Sequence, residues 1–107
     1  MFYWFILYIA IFFEILATIC MKLSLGFTKV MPSVLTAIFY IISLILMSFT
    51  LEKIDVGTAY AVWSGLGTAG IALIGVFWFD ELASAIKFIS IGLIIIGIIG
   101  LNLEGVT

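Results

Sequence analysis

Four long apolar runs, separated by short polar stretches, dominate this sequence. They cover about residues 3–21, 32–51, 57–79 and 86–103. Each run is near the ~20 residues that an α-helix needs to cross about 30 Å of hydrocarbon. The runs are continuous rather than alternating, which argues against the strands of a membrane β-barrel. The pattern predicts an all-α membrane protein with four transmembrane helices and short loops.

The composition favours lipid over water as the main surroundings. Of the 107 residues, 66% are hydrophobic and 9% are charged, whereas soluble domains carry roughly 25% charged residues. The net charge of −2 argues against a nucleic-acid partner. The chain has no histidine and one cysteine, so we expect no metal site and no intrachain disulfide. We also expect no cofactor. We expect a single domain over residues 1–107, crossing the cell (plasma or inner) membrane several times.

Glu14 is the one acidic residue deep inside an apolar run. A carboxylate at that depth costs roughly 2.5–3.5 kcal/mol on insertion scales, and intramembrane acids are usually functional. On a helix, Glu14 shares its face with Ala10, Ala17 and Thr18, whose small size lets a second helix or a ligand approach closely. Thr18 lies one turn away and can hydrogen-bond the carboxylate. Desolvation disfavours the ionised form, so we expect Glu14 to exchange a proton.

Two further polar clusters lie at membrane depth. Tyr40 and Ser43 are one turn apart on the second helix. Tyr60, Trp63 and Ser64 share one face of the third helix. Aromatic rings attract cations through their negative faces, especially where water is excluded. A carboxylate and aromatic side chains together predict a site for an organic cation, with structural packing as the alternative for the aromatics.

A glycine-rich segment on the third helix, residues 65–70, matches the GxGxxG pattern letter for letter. The dinucleotide fingerprint requires a preceding strand and a helix that opens at the glycines. Here the glycines lie inside a long apolar helix, so nucleotide binding is not expected. Gly65 and Gly67 instead predict a thin helix face and a conformational bend.

The fourth helix carries no intramembrane charge, and one of its faces predicts a helix contact. This stripe consists of Ser90, Leu93, Ile94, Gly97, Ile98 and Leu101. We interpret it as a dimer interface, with packing inside one chain as the alternative. Four helices enclose little volume, and Glu14 lies near the middle of its helix. A two-fold axis in the membrane plane would therefore bring two copies of Glu14 together, as in many secondary transporters.

Tryptophan and lysine positions bear on the membrane interface and on the orientation of the helices in the membrane. Trp4 and Trp78 fall near predicted helix ends, where aromatic side chains anchor membrane helices. The first and third loops carry three lysines and the opposite side carries one. This small bias is compatible with insertion in both orientations, and so with an antiparallel dimer.

These features resemble the small multidrug resistance transporters over nearly the whole chain. The matching residues are Glu14, Thr18, Met21-Lys22-Leu23-Ser24, Gly26-Phe27-Thr28-Lys29, Pro32-Ser33 and the run GTAYAVWSGLG at 57–67. The resemblance implies an antiparallel dimer of eight helices that exports cationic compounds in exchange for protons. It implies alternating access driven by the proton gradient, with Glu14 of both copies binding proton and substrate competitively.

The resemblance also assigns roles to the other polar residues. Tyr60 and Trp63 would line the binding site, and Tyr40, Ser43 and Thr18 would border it. The fourth-helix stripe containing Ser90 and Gly97 matches the dimerisation face of the family, although glycine is commoner than serine at position 90. Some members are heterodimers of two paralogues, which the weak charge bias does not exclude.

Ala17 bears on the substrate branch of the family that this chain resembles. In the family that this chain resembles, guanidinium exporters carry a tryptophan three residues after the glutamate, whereas multidrug exporters usually carry glycine there. The alanine makes a quaternary-ammonium or multidrug exporter the expectation, with a guanidinium exporter as the alternative. A small structural or regulatory membrane subunit, in which Glu14 only holds helices together, is a further alternative. An enzyme is not expected, because no nucleophile–base pair is available.

Overall fold

Four α-helices make up almost all of the computed structural model, which describes residues 2–105, with side chains to residue 103. The helices are α1 (Phe2–Leu23), α2 (Val30–Thr50), α3 (Val56–Trp78) and α4 (Ala85–Gly105). Over the described range there is no strand. Each helix is long and apolar enough to cross a membrane. The predicted four-span all-α fold is confirmed, and the helix ends differ from the predicted ones by at most two residues.

The chain divides into two compact units, each a pair of helices. The first unit ends at Asp55 and contains α1 and α2, and the second begins at Val56 and contains α3 and α4. Within each unit the two helices pack along one another. The expectation of a single domain over residues 1–107 stays a prediction.

A tight turn with an unusual backbone joins α1 to α2. Leu25, Gly26 and Phe27 have positive φ angles of 50°, 74° and 64°, which cost a non-glycine residue roughly 1–2 kcal/mol. Ser24 is fully buried and holds this turn. Its Oγ donates a hydrogen bond to the Met21 carbonyl at 2.7 Å and accepts one from the Phe27 N–H at 3.0 Å. These hydrogen bonds offset the free-energy cost of the left-handed φ angles. The turn reverses the chain so that α2 packs along α1.

The contact between α1 and α2 combines small residues, aromatic rings and one buried hydrogen bond. Ser43 on α2 is fully buried and donates its hydroxyl to the Ala10 carbonyl on α1 at 2.7 Å. The rings of Phe13 and Phe39 pack with centroids 5.9 Å apart. Because Ala10 has only a methyl side chain, α2 can approach closely enough for this side-chain to backbone bond.

The two tryptophans expected at the membrane interface differ in their surroundings. Trp4 is only 5% exposed, and its ring lies 6.2 Å from that of Tyr8. It therefore belongs to the packed interior, and the prediction that it is an interface anchor is wrong. Trp78, the last residue of α3, is 66% exposed and keeps the position of an anchor.

Gly65 lies at the contact between α3 and α4. A Cβ at this position would lie 3.0 Å from Ile98 Cδ1 and 3.3 Å from Ile94 Cγ2. The missing side chain is what lets α4 pack this near. Since α3 is one uninterrupted α-helix through Gly65 and Gly67, the bend expected there stays a prediction.

The loop between α3 and α4 folds back on the end of α3. The Glu81 N–H donates to the Gly75 carbonyl at 3.0 Å, and the Glu81 carboxylate occupies the space beside the Gly75 Cα. Asp80 takes a left-handed φ of 55° to make this reversal. Ser84 then caps α4, because its Oγ accepts the Lys87 N–H at 3.1 Å.

We expect Ser24→Ala to destabilise the protein by about 1–2 kcal/mol, because the Phe27 N–H loses its acceptor in a turn with two left-handed non-glycine residues. The measurement is a denaturant titration of the purified protein in detergent, followed by helical circular dichroism. Ser48→Ala, at an exposed position of α2, is the control and should change stability by no more than about 0.5 kcal/mol. Equal stability of the two variants would contradict the role given to Ser24.

Candidate functional site

The Glu14 carboxylate lies in the middle of α1, between the ends at Phe2 and Leu23. The residue is half-buried. Its Oε1 accepts a hydrogen bond from Thr18 at 3.3 Å. Its Oε2 is buried and has no hydrogen-bond partner among the residues that the structure describes. A buried acceptor without a donor is uncommon in native proteins and requires an explanation.

Thr18 connects Glu14 to the second helix. Its hydroxyl lies 3.1 Å from the Glu14 carbonyl oxygen and 3.3 Å from Glu14 Oε1, and it can donate to either. The same hydroxyl is 3.2 Å from the Tyr40 hydroxyl on α2. Three residues predicted to share a site are thus joined by direct hydrogen bonds. Their part in binding stays a prediction.

The small residues predicted beside Glu14 contact protein in this structure. Ala10 and Ala17 are both fully buried. The Ala10 carbonyl accepts the hydrogen bond from Ser43 of α2, so the small size of Ala10 allows the approach of a second helix. Ser43 uses its only proton in this bond. Neither alanine has exposed surface in this structure, and their part in ligand binding stays a prediction.

On α3, the predicted aromatic residues form a pair. The rings of Tyr60 and Trp63 meet edge to face, with centroids 5.8 Å apart and planes at 74°. Tyr60 is 59% exposed, and Trp63 is half-buried. Trp63 Nε1 is buried and has no hydrogen-bond partner among the described residues. Ser64 is exposed, and its hydroxyl donates to the Ala61 carbonyl at 3.4 Å.

The stripe predicted as a dimer interface on α4 divides into two sets. Ile98 is buried, Ile94 is half-buried, and both lie against Gly65 of α3. Packing inside the chain, the alternative left open for the whole stripe, therefore describes these two residues. Leu101 is half-buried, while three residues remain exposed: Ser90, Leu93 and Gly97. This exposed set is the part that a second copy can contact.

Phe13 and Phe39 adjoin Glu14 and Tyr40 in the sequence, and the sequence analysis does not select them. Phe13 precedes Glu14, Phe39 precedes Tyr40, and the two rings pack across the α1–α2 contact. Their adjacency to two predicted site residues was a usable signal. The pairing itself depends on the register of the two helices, which a single sequence does not specify.

An open apolar groove of about 410 Å³ lies along the last turns of α3 and is lined by Leu73, Ile74, Phe77 and Trp78. None of these side chains carries a charge or a hydroxyl group. The groove therefore offers no counter-ion to a cation. Its lining is that of a surface that contacts lipid.

Comparison with known proteins leads to one family. The model of the family described as Small Multidrug Resistance protein matches residues 2–94. A Bacillus subtilis (strain 168) protein called "Uncharacterized membrane protein YvaE" is 52% identical over 100 residues, which cover 94% of this chain and 84% of that protein. A protein of Citrobacter freundii called "Guanidinium exporter" is 42% identical over 101 residues, covering 94% and 96%. One of the same name from Salmonella typhimurium (strain LT2) is 41% identical with the same coverage.

These matches cover almost the entire chain, and they agree with four helices that are long and apolar enough to span a membrane. The relatives named for an activity are exporters. The chain belongs to the small multidrug resistance family of multi-pass membrane transporters.

Proposed function

We propose that this chain exports small organic cations in exchange for protons, with Glu14 binding either a proton or the cation. The observation that carries the proposal is the partly satisfied carboxylate. One oxygen accepts a hydrogen bond from Thr18, and the other is buried without a donor among the described residues. A proton bound to the carboxyl group would neutralise its charge. A cation with an N–H group would pair with that charge and donate a hydrogen bond to the unpartnered oxygen. The proton gradient supplies the energy, and no cofactor is required.

Competition between the two ligands follows from electrostatics. An ionised carboxylate is costly inside a membrane, and either a bound proton or a paired cation reduces that cost. Lys22 is the basic residue of α1, and it lies eight residues beyond Glu14, about 12 Å along the helix. An internal ion pair of these two residues is therefore not expected. Proton and cation use the same oxygen atoms, so binding of one displaces the other.

Guanidinium is the substrate that the buried oxygen favours. Its planar N–H groups can donate two parallel hydrogen bonds to one carboxylate. A quaternary ammonium ion has no N–H group, so it would pair with the charge of Glu14 and leave Oε2 without a donor. Two relatives at 41–42% identity carry the name guanidinium exporter. Both observations favour guanidinium over the quaternary-ammonium substrate expected from Ala17.

Quaternary ammonium and other lipophilic cations are the second candidate. The exposed Tyr60 and its partner Trp63 offer aromatic faces, which attract cations without needing an N–H donor. Ala17 in place of tryptophan led to the same expectation. Its complete burial weakens that argument, because a buried methyl group offers a cation no surface.

We further propose that the transporter is an antiparallel homodimer, joined in part through the exposed set on α4: Ser90, Leu93 and Gly97. Small residues on an exposed membrane-helix face allow close packing with a second helix. The central position of Glu14 on α1 means that an in-plane two-fold axis leaves both carboxylates at a similar depth. A heterodimer with a paralogue would use the same surface.

We expect Glu14→Gln to abolish proton movement coupled to guanidinium. The amide keeps the shape of the side chain but does not gain or lose a proton near neutral pH. The measurement uses protein reconstituted in liposomes with a pH-sensitive dye inside and guanidinium added outside. Glu52→Gln, which neutralises an exposed acid between α2 and α3, should transport like the wild type. Absence of coupled flux in the wild type, or full flux in Glu14→Gln, would contradict the proposed function.

The same liposomes distinguish the substrate classes. We expect guanidinium to drive proton movement at a concentration about tenfold lower than tetramethylammonium, a similarly small cation without N–H donors. Tetraphenylphosphonium tests the lipophilic branch directly. If that cation drives proton movement and guanidinium does not, the second candidate is correct and the guanidinium assignment is wrong.

A further inference from the structure

We propose that Tyr40 is a positioning residue which, acting through Thr18, supports the ionised form of Glu14 and so helps to set the pH at which a cation displaces the proton. This inference rests on the proposed exchange at Glu14 and adds a residue that regulates it. It starts from three oxygen atoms grouped around one hydroxyl. Thr18 Oγ1 is 3.1 Å from the Glu14 carbonyl oxygen, 3.3 Å from Glu14 Oε1 and 3.2 Å from the Tyr40 hydroxyl.

The direction of these hydrogen bonds follows from counting protons. A threonine hydroxyl has one proton to donate and can accept from a second donor. A carbonyl oxygen and an ionised carboxylate only accept. When Thr18 donates to Glu14, it has no proton left for Tyr40. The contact between the two hydroxyls must then be a bond donated by Tyr40 to Thr18.

With Glu14 ionised, the three residues form an oriented chain. Tyr40 O–H donates to Thr18 Oγ1, and Thr18 O–H donates to Glu14 Oε1. Donors aligned in this way polarise one another, and the bond that reaches the charged group is strengthened. The chain ends on a carboxylate oxygen at membrane depth, where little water is available to replace the bond.

With Glu14 protonated, the chain loses most of its effect. A neutral carboxyl group is a weaker acceptor than a carboxylate. The Thr18 proton then has a better acceptor in the Glu14 backbone carbonyl at 3.1 Å. The Tyr40 hydroxyl therefore stabilises the ionised form more than the protonated form. Its removal should make the proton harder to displace.

Among the described hydrogen bonds, no other polar side chain of α2 reaches Thr18. Tyr40 is the one titratable residue in the sequence of α2, which has no acid or base. The Ser43 hydroxyl is committed to the Ala10 carbonyl at 2.7 Å. On α1, the titratable residues nearest Glu14 in sequence are Tyr8 and Cys20, each six positions away, followed by Lys22. Tyr40 is therefore the donor from α2 that reaches Thr18.

The test is the pH dependence of Glu14 protonation in four variants. Tyr40→Phe keeps the ring and removes the hydroxyl, Thr18→Val removes the connecting hydroxyl at equal size, and Thr18→Ser restores it. Tyr3→Phe removes a tyrosine hydroxyl near the start of α1 and is the control. The midpoint is read from guanidinium binding to the purified dimer against pH. It is also read without any cation, from the infrared carboxyl band that Glu14→Gln removes.

We expect the midpoint to move to higher pH by about 0.5–1 unit in Tyr40→Phe and by about 1 unit or more in Thr18→Val. Thr18→Ser and Tyr3→Phe should stay near the wild type. At high pH, where every variant is ionised, guanidinium affinity in Tyr40→Phe should fall less than about threefold. Circular dichroism establishes that each variant is folded.

Two results would overturn the inference. An infrared midpoint in Tyr40→Phe equal to that of the wild type would show that the phenol does not act on Glu14. A loss of guanidinium affinity that is equal at every pH, with the midpoint unmoved, would make Tyr40 a substrate contact instead. Failure of the proposed function would look different, because wild-type protein would then bind no guanidinium while the infrared titration still reported the effect of Tyr40.

Discussion

The partly satisfied carboxylate of Glu14 is the constraint on which the rest of the first helix pair depends. An acid in the middle of an apolar helix must have its oxygen atoms hydrogen-bonded, protonated or paired with a cation. Thr18 donates a hydrogen bond to one oxygen, and the other has no donor in the part of the chain that the structure describes. The α1–α2 contact brings Tyr40 to Thr18, so the second helix contributes to the state of the acid. A carboxylate with both oxygen atoms hydrogen-bonded would hold its helices together but would leave no free acceptor for a ligand.

Other polar groups of the helices show what a structural role looks like. The Thr36 and Thr50 hydroxyls donate to carbonyls four residues earlier, at 2.8 Å and 3.1 Å. Such bonds hide a polar side chain inside its own helix. Ser43 does the same across the helix contact. Among the buried side-chain atoms that the structure describes, Glu14 Oε2 and Trp63 Nε1 lack a partner. Both residues were selected from the sequence as site residues, and the contrast supports functional roles for both.

The sequence predicted the helices well, for a simple physical reason. Runs of about 20 apolar residues must form helices that satisfy their own backbone in lipid. The ends were less predictable, because α1 continues to Leu23 and the Ser24 turn follows. That turn depends on left-handed φ angles at Leu25 and Phe27, residue types that rarely adopt them.

Sequence reasoning selects candidate site residues but does not predict their contacts. A small residue on a helix face permits approach by a ligand or by another helix, and only the structure shows that Ala10 faces α2. An apolar stripe likewise does not reveal its partner, which is why both a dimer interface and packing inside one chain are open for it from the sequence. In the structure, Ile94 and Ile98 of this stripe lie beside Gly65 of the same chain. The bond between Thr18 and Tyr40 depends on the register of two helices. Glu14 needed no such information, because the cost of its charge is evident from the sequence.

The most direct test of shared binding at Glu14 is proton release on adding guanidinium to the purified protein in weakly buffered detergent solution. At a pH where Glu14 is protonated, guanidinium binding should release protons into solution. The release should vanish at high pH, where the carboxylate is already ionised, and at all pH values in Glu14→Gln. Guanidinium binding without proton release at any pH would contradict a site shared by proton and cation.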